Sequence, residues 1–438
     1  MPSLFLHSRH RSITVKHSQM DNAPLYALPP EIKRCILAFL TLGQLKPLIR
    51  ASPVFLQQFL ADRRYVFVSC LRNTLGSVFV DALFVHRTKS TTPDANEILG
   101  VLDDYQKMRA EPYQTRVTEE LSEVDAMAML TFHTKRVLPV AHWFIGWAVN
   151  CAVSDLGIPS FRQPLSPSRT EGTRFLRSLY RFQICCQLFG SKRFAKLRKG
   201  RRRRDATDIL SVFFFLFEPW EVEEMRCLSR FADAVYRRVK KDFDHALGQG
   251  NVRIAGELVS PPINDYLVFP LNMISYLNQI AHSCGLEPLY SVLTMDRDDY
   301  AGLLETTISV ISPLDPGSSV GDVLSDLSSN DPFHAFTGEL RKRRPPPERQ
   351  RRQDASEPQA FAQPFEGDSP AGPPLAWTLL WGGTYCNIYN TLSDYFLSWA
   401  CVMWDAERLN GYAPDDVLLE SRRDIHSFEE WSDTEDTE

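Results

Sequence analysis

The sequence predicts an all-α fold, an irregular multi-helix bundle, on three observations. Apolar residues recur at three- and four-residue spacing through most of the chain, the period of a helix with one buried face. Strand signals are weak: Thr306, Thr307, Ile308 and Val310 are β-branched, but the stretch is isolated. No period of the length that builds a solenoid is present. With 438 residues, 44% hydrophobic and 24% charged, the chain can bury one large core or two ordinary ones.

Residues 1–24 contain Arg9, Arg11, Lys16 and three histidines with no acid before Asp21. They read as a disordered tail, with a mitochondrial presequence as the alternative, because apolar residues are too sparse to form a long amphipathic face. Leu28-Pro29-Pro30 then fixes an extended start and places proline where a helix begins. Ile32, Ile36, Phe39 and Leu40 follow at helical spacing, and Gly43 is expected to close this first helix. Leu45, Leu48 and Ile49 mark a second helix, in which Pro47 is tolerable only in the first turn. Ser52-Pro53 reads as cap and first residue of a third, carrying Phe55, Phe59 and Leu60. Three helices in so few residues cannot bury their own apolar faces, so another surface must cover them.

Beyond this module the helical pattern continues. Val68, Leu71, Leu75, Val78, Ala82 and Val85 suggest one helix over residues 65–86, and Thr92-Pro93 opens another to Met108. A longer helix after Ser122 carries Val124, Met127, Leu130, Val137, Trp143 and Trp147, with a kink expected at Pro139. Residues 160–168 form a proline-marked loop, and Phe175, Leu179, Phe182, Cys186 and Phe189 define the next stripe, stopped by Gly190. Residues 205–217 are helical and apolar, and Glu218-Pro219 starts a helix that runs to Leu247 and closes at Gly248. Two more are expected over 269–284 and 299–311. Proline, serine, glycine and charge then dominate 312–374, a disordered insertion. Trp377, Trp381, Tyr385, Tyr389, Phe396, Trp399 and Met403 mark a C-terminal helix over 375–411 that must pack back on the earlier ones. Residues 412–438 form a disordered acidic tail. The organisation is thus 1–24, 25–66, 67–311, 312–374, 375–411 and 412–438.

The formal charge of −5 conceals opposite local blocks. Nine cysteines, at 35, 70, 151, 185, 186, 227, 284, 386 and 401, are odd in number, scattered and free of any C-x-x-C pair. They argue for a reducing compartment and against a zinc module or disulfide framework. The longest nearly apolar runs, 137–149 and 209–217, fall short of the roughly twenty residues a bilayer crossing needs, so no membrane span is expected.

Catalytic motifs are scarce. Gly317-Ser318-Ser319-Val320-Gly321 matches G-x-S-x-G in form, but the strand and helix a nucleophile elbow requires are missing around it, and chance in a Ser/Gly-rich linker explains it. No H-E-x-x-H, phosphate-binding loop or dinucleotide fingerprint is present. Histidines 86, 133, 142, 245 and 282 are dispersed and read as surface or satisfied interior residues. Glu223 and Glu224 fall at a helix start, where they offset the backbone dipole. Lys192, Arg193, Lys196, Arg198, Lys199, Arg201, Arg202, Arg203 and Arg204 form a cationic run with no acid before Asp205. A solvated loop, a nuclear-import signal and nucleic-acid binding all fit it. A second cluster, Arg341 to Arg344 with Arg349, Arg351 and Arg352, shares these readings.

The pattern Leu28-Pro29, Glu31-Ile32, Ile36, Leu40, Leu45, Leu48 and Ala51-Ser52-Pro53 resembles the F-box, and most closely the divergent F-box-like segments of filamentous-fungal proteins. It lacks the third-helix tryptophan of stricter boxes, with Phe55 and Phe59 nearby instead. The phrase Phe217-Glu-Pro-Trp-Glu-Val-Glu-Glu resembles one in the same proteins. The resemblance implies that Leu28, Pro29, Ile32, Ile36, Leu40, Leu45 and Leu48 form an apolar contact surface for a Skp-family adaptor of a cullin-RING ubiquitin ligase. The helical remainder would recruit an unknown protein substrate. The expected protein is intracellular, nuclear or cytoplasmic, non-enzymatic, without cofactor and without membrane contact. Two alternatives stand beside it: the module packs permanently on its own chain, or a nuclear protein binds nucleic acid through Lys199 and Arg201 to Arg204.

Overall fold

The computed structural model of the chain describes residues 25–89, 97–110, 121–157, 161, 166–189, 213–214, 216–248, 253–254, 257–258, 285–295, 364–381 and 394–410. These residues form an all-α fold. The one exception among them is a two-residue antiparallel ribbon, Arg253–Ile254 against Glu257–Leu258. The expected helices over 269–284 and 299–311, the positions Tyr385 and Tyr389 of the C-terminal stripe, the G-x-S-x-G match, both cationic runs and the acidic tail lie outside the described residues.

The chain divides into two compact units, residues 1–76 with 114–127, and 77–113 with 128–438. In the first unit, α1 (Pro30–Phe39), α2 (Leu42–Ala51), α3 (Pro53–Ala61) and α4 (Arg63–Leu75) pack together, so the expected boundary at residue 66 falls inside α4. The covering surface that three short helices required is this fourth helix. It packs on the other three, with Val66, Phe67, Val68, Cys70, Leu71 and Leu75 buried on it and Leu37, Leu45, Phe55 and Phe59 buried on them. Each such side chain removed from water contributes about 1.5–3 kcal/mol.

Polar contacts fix the same arrangement. The last carbonyls of a helix have no partner in their own helix. Here α4 supplies donors for those of α1: Asn73 Nδ2 donates to Ala38 O at 2.7 Å and Leu40 O at 3.2 Å, and Cys70 Sγ donates to Leu37 O at 3.1 Å. Thr74 Oγ1 accepts the Leu42 amide at 2.9 Å, which ties the start of α2 to the same helix.

Two expectations about this module are corrected. Gly43 does not close α1; the helix ends at Phe39, and Thr41 starts α2, with its amide donating to Gln44 Oε1 at 2.9 Å. Pro47 therefore sits inside α2, beyond the first turn. Pro47 and Gly43, whose carbonyl loses its helical donor to the proline, are both exposed residues. Ser52 caps α3 as expected, accepting the Phe55 amide.

The second unit is built around a long antiparallel pairing of α9 (Arg169–Phe189) with α10 (Pro219–Gly248). Around them lie α5 (Phe79–Thr88), α6 (Glu97–Ala110), α8 (Leu138–Leu156) and α11 (Leu286–Thr294). The single helix expected over 65–86 is broken at Gly76, whose φ of 55° is open to glycine and strained for other residues. α7 (Glu123–Phe132) is capped by Ser122 Oγ, which accepts the Asp125 amide at 3.1 Å.

Pro139 acts differently from a simple kink. Ahead of it, His133–Val137 widen into a π turn, and the Leu138 amide donates to His133 O. Proline offers no amide and crowds the carbonyl four residues back, and the wider turn relieves that clash while the helix continues.

Two helical stretches, Arg63–Thr88 and Glu123–Ser154, are long and apolar enough by composition to cross a bilayer. The expectation of no such segment counted uninterrupted apolar runs, and the helices are longer than those runs. Arg63–Thr88 is mostly buried within the protein and broken at Gly76, whereas Glu123–Ser154 continues through the π turn and is about one-third buried.

The C-terminal region is core rather than a single appended helix. It comprises α12 (Leu375–Trp381), α13 (Asp394–Ser398), a short 3-10 turn at Cys401–Met403 and α14 (Ala406–Asn410). Trp377, Trp399 and Trp404 are fully buried, and the Trp404 indole donates to Trp399 O at 2.9 Å. Residues 364–374, expected within the disordered insertion, also fold onto this unit: Asp368 accepts the Ala406 amide at 2.9 Å and faces Arg174.

Candidate functional site

Two features of the fold are candidates, and they differ in accessibility. The first is the surface of α1 and α3 in the first unit. Residues 32, 36 and 39 lie on one face of a helix by their spacing of four and seven, and Cys35 flanks them. Only Leu37 of α1 is fully buried. The apolar face points the other way: Ile32 is 46% exposed, Phe39 is 83% exposed and Ile36 is half-buried. On α3, Phe55 and Phe59 turn into the core while Leu56 and Leu60, four apart, are 38% and 58% exposed. Leu25 is exposed as well. A ten-residue helix that turns its largest side chains to solvent leaves unburied the apolar area that should stabilise it.

The expected contact residues divide accordingly. Ile32 and Pro29 are exposed, and Leu28, Ile36, Leu40 and Leu48 are half-buried. Leu45 is corrected: at 4% exposure it belongs to this unit's own core, because α2 turns it towards α3 and α4. Phe39, Leu56 and Leu60 join the surface without having been expected there. Their signal is present in the spacing from Ile32 and Phe55, but which of two apolar faces looks outward depends on where α4 packs. Arg34 stacks over Tyr65 at 5.3 Å and lies 4.0 Å from Asp62, so the cationic flank of α1 is held in place. Lys199 and Arg201 to Arg204 lie outside the described residues.

The second feature is a buried charge ladder along α9. Glu171, Arg174, Arg177 and Arg181 recur at helical spacing and are all buried. Arg177 forms a two-pronged pair with Glu224 and lies 3.0 Å from Glu221; the Nε–Oε2 arm is 2.8 Å. Arg181 Nη1 is 3.0 Å from Glu221 and its Nε 3.4 Å from Asp81. These two nitrogens lack aligned acceptors, so charge rather than hydrogen-bond geometry holds them. Tyr105 donates to Asp81 Oδ1 at 2.5 Å, Arg109 reaches Glu221 at 3.3 Å, and both Arg109 and Arg181 stack on Phe217. Burial by itself would raise Glu221, but Arg181, Arg177 and Arg109 hold its carboxyl well below the usual range.

The other end of the ladder grips the C-terminal region. Glu171 accepts two bonds from Arg408, at 2.8 and 2.9 Å, and the Asp405 amide at 3.1 Å. Arg174 donates to Asp405 at 2.8 Å. Glu223, read from the sequence as a helix-start acid, is buried against Arg226 at 2.7 Å, and burial raises its carboxyl. The periodic acids and arginines of α9 carry the signal for this ladder. The apolar stripe on the same helix masks it, because a stripe of that kind by itself marks the opposite face as solvent-facing.

Each carboxylate of the ladder faces an arginine, which cannot act as a proton carrier near neutral pH, while two nitrogens each of Arg174 and Arg181 have no hydrogen-bond partner. The ladder's geometry suits locking helices together. His133 is a satisfied interior residue, its Nδ1 2.9 Å from the Tyr180 hydroxyl, and burial lowers it to about 4. The described cysteines are free, and all but Cys35 and Cys151 are buried. Burial pushes the Cys70 thiol up to about 12. Among the described residues no group of three or more His, Cys, Asp or Glu is arranged to hold a metal ion.

Comparison with protein-family models, with curated proteins and with solved structures finds no match.

Proposed function

We propose that this chain is a non-catalytic recruiting subunit. Its first unit docks a Skp-family adaptor of a cullin-RING ubiquitin ligase through α1 and α3, and its helical second unit holds the recruited protein. The observation that carries the reading is the outward apolar face of α1, where Ile32 and Phe39 lie exposed within the motif that resembles an F-box. A buried interface core built from such anchors excludes water and supplies most of the affinity. The charge ladder supports the non-catalytic part, since each of its buried acids has an arginine against it.

The test is a titration of the intact chain with purified Skp adaptor. Ile32→Asp and Phe39→Asp should each weaken binding by at least about 30-fold, the scale of a truncated hot spot. Their thermal midpoints should stay near that of the wild type, because both side chains already face water. Leu45→Asp would unfold the unit and tests nothing about docking. No binding by the wild type, or a self-associated chain that Ile32→Asp converts to monomer, would refute the proposal.

A further inference from the structure

We infer that the partner surface for α1 and α3 is acidic around an apolar centre, and that charge steers its association. This rests on the docking reading above and names the chemistry of the partner.

The observation is a charge imbalance over α1 to α4 of the docking module. Residues 25–76 hold seven cations, Lys33, Arg34, Lys46, Arg50, Arg63, Arg64 and Arg72, against Glu31 and Asp62, a net of +5 in a chain whose formal charge is −5. The rest of the chain therefore carries about twice that whole-chain charge in the negative sense, so the module is a cationic island. Its surface repeats the imbalance. Arg34, Lys46, Arg50, Arg63 and Arg64 are exposed, whereas Glu31 is the exposed acid. Arg34 and Arg63 have carboxylates within reach, Asp62 at 4.0 Å and Glu123 at 2.8 Å. Arg64 gives its Nε to the neutral carbonyl of Leu121 at 3.0 Å and forms no salt bridge among the described residues. Lys46 and Arg50 stand one turn apart on α2, both exposed, and neither forms a salt bridge among the described residues.

Like charges one helical turn apart repel and weaken the helix that carries them. Lys46 and Arg50 also share α2 with an interior proline, so their positive pair adds to an existing local cost. A partner that brings carboxylates to this pair offsets that repulsion as it binds. The centre of the patch favours a protein over a polyanion. Ile32, Phe39, Leu56 and Leu60 need an apolar counterpart to become dry, and phosphates along a nucleic acid would leave them wet. The partner thus presents apolar pockets bordered by aspartate and glutamate.

The test follows adaptor binding by the full chain across salt, from about 50 to 300 mM, where screening of exposed charges becomes strong. The wild type should lose about tenfold or more in affinity over that range, mostly in the association rate. Lys46→Glu with Arg50→Glu should lower affinity about tenfold at low salt and flatten the salt dependence. Ile32→Asp should weaken binding at every salt concentration while the slope persists. If the wild type binds adaptor but neither salt nor the double charge reversal matters, the steering inference is overturned and docking stands. If the adaptor fails to bind at all, both fall. Duplex DNA or phosphatidylserine vesicles serve as competing probes. Binding to either that the charge reversal removes, with adaptor affinity unchanged, would assign the cations to that partner and overturn the inference.

Discussion

His133 and Asn73 show how single residues take on roles that their chemical type alone would not announce. Asn73 is an exposed polar residue on α4, and its amide satisfies two carbonyls at the end of α1. His133 lies inside the π turn with its ring parallel to Tyr180, the centroids 6.2 Å apart. Burial depresses its folded pKa to about 4, below that of a free histidine. The folded and unfolded forms are both neutral at high pH. As pH falls below about 6.5 the unfolded chain takes up a proton that the buried ring refuses, so stability is lost between there and about 4. The loss approaches about 3 kcal/mol, because each tenfold difference in proton affinity between the two forms contributes about 1.4 kcal/mol. Chemical denaturation of wild type and His133→Gln at pH 7 and pH 4.5 checks this: the variant should lose distinctly less stability on acidification, and equal losses would show that His133 is not responsible.

Among the elements, α2 carries the clearest internal conflict. It begins with a side-chain contact between Gln44 and Thr41, buries Leu45, and then gives an interior position to Pro47. Interior proline costs a helix about 3 kcal/mol relative to alanine, less near a frayed end. Pro47→Ala should therefore raise the stability of the first unit by about 1–3 kcal/mol, read as a higher denaturant midpoint with an unchanged slope. A lower midpoint would mean that the proline shapes α2 in a way the rest of the unit requires. The same residue chemistry has another outcome at Pro139, where a π turn absorbs the strain. Context decides because α2 is short and solvent-facing at Pro47, whereas the helix through Pro139 continues on both sides.

For the molecule as a whole, the second unit combines apolar burial with a connected set of buried charges. The ladder on α9 joins α5, α6, α10 and the C-terminal region through Asp81, Tyr105, Glu221, Glu224, Asp405 and Arg408. Buried pairs are often close to neutral relative to apolar replacements, yet removing one partner is costly, because the other charge remains in a dry interior. Glu221→Gln leaves Arg109, Arg177 and Arg181 with one counter-charge fewer, and it should destabilise the fold by about 3–5 kcal/mol in chemical denaturation. A change under about 1 kcal/mol would mean that water reaches the cluster. Aromatic packing closes the remaining space, with Phe175 and Phe161 edge-on to Trp404 at 5.2 and 5.4 Å.

Much of this was legible in the residues. Helical spacing and proline placement determined the all-α class, the starts of α1 and α3, the cap at Ser52 and the long helix from Pro219. They also placed Ile32, Ile36 and Phe39 on one face. Local rules suffice there, because periodicity and capping involve residues within one or two turns of each other. What only the tertiary structure decided was the direction of those faces. Leu45 and Leu37 turn inward and Ile32 and Phe39 outward because α4 supplies the covering surface and clasps the end of α1. Glu171 and Arg408 meet across most of the chain's length for a similar reason: a buried charge must find its partner wherever the fold brings one. Such pairings depend on which distant elements share a core, and that choice is made by packing rather than by neighbours in sequence.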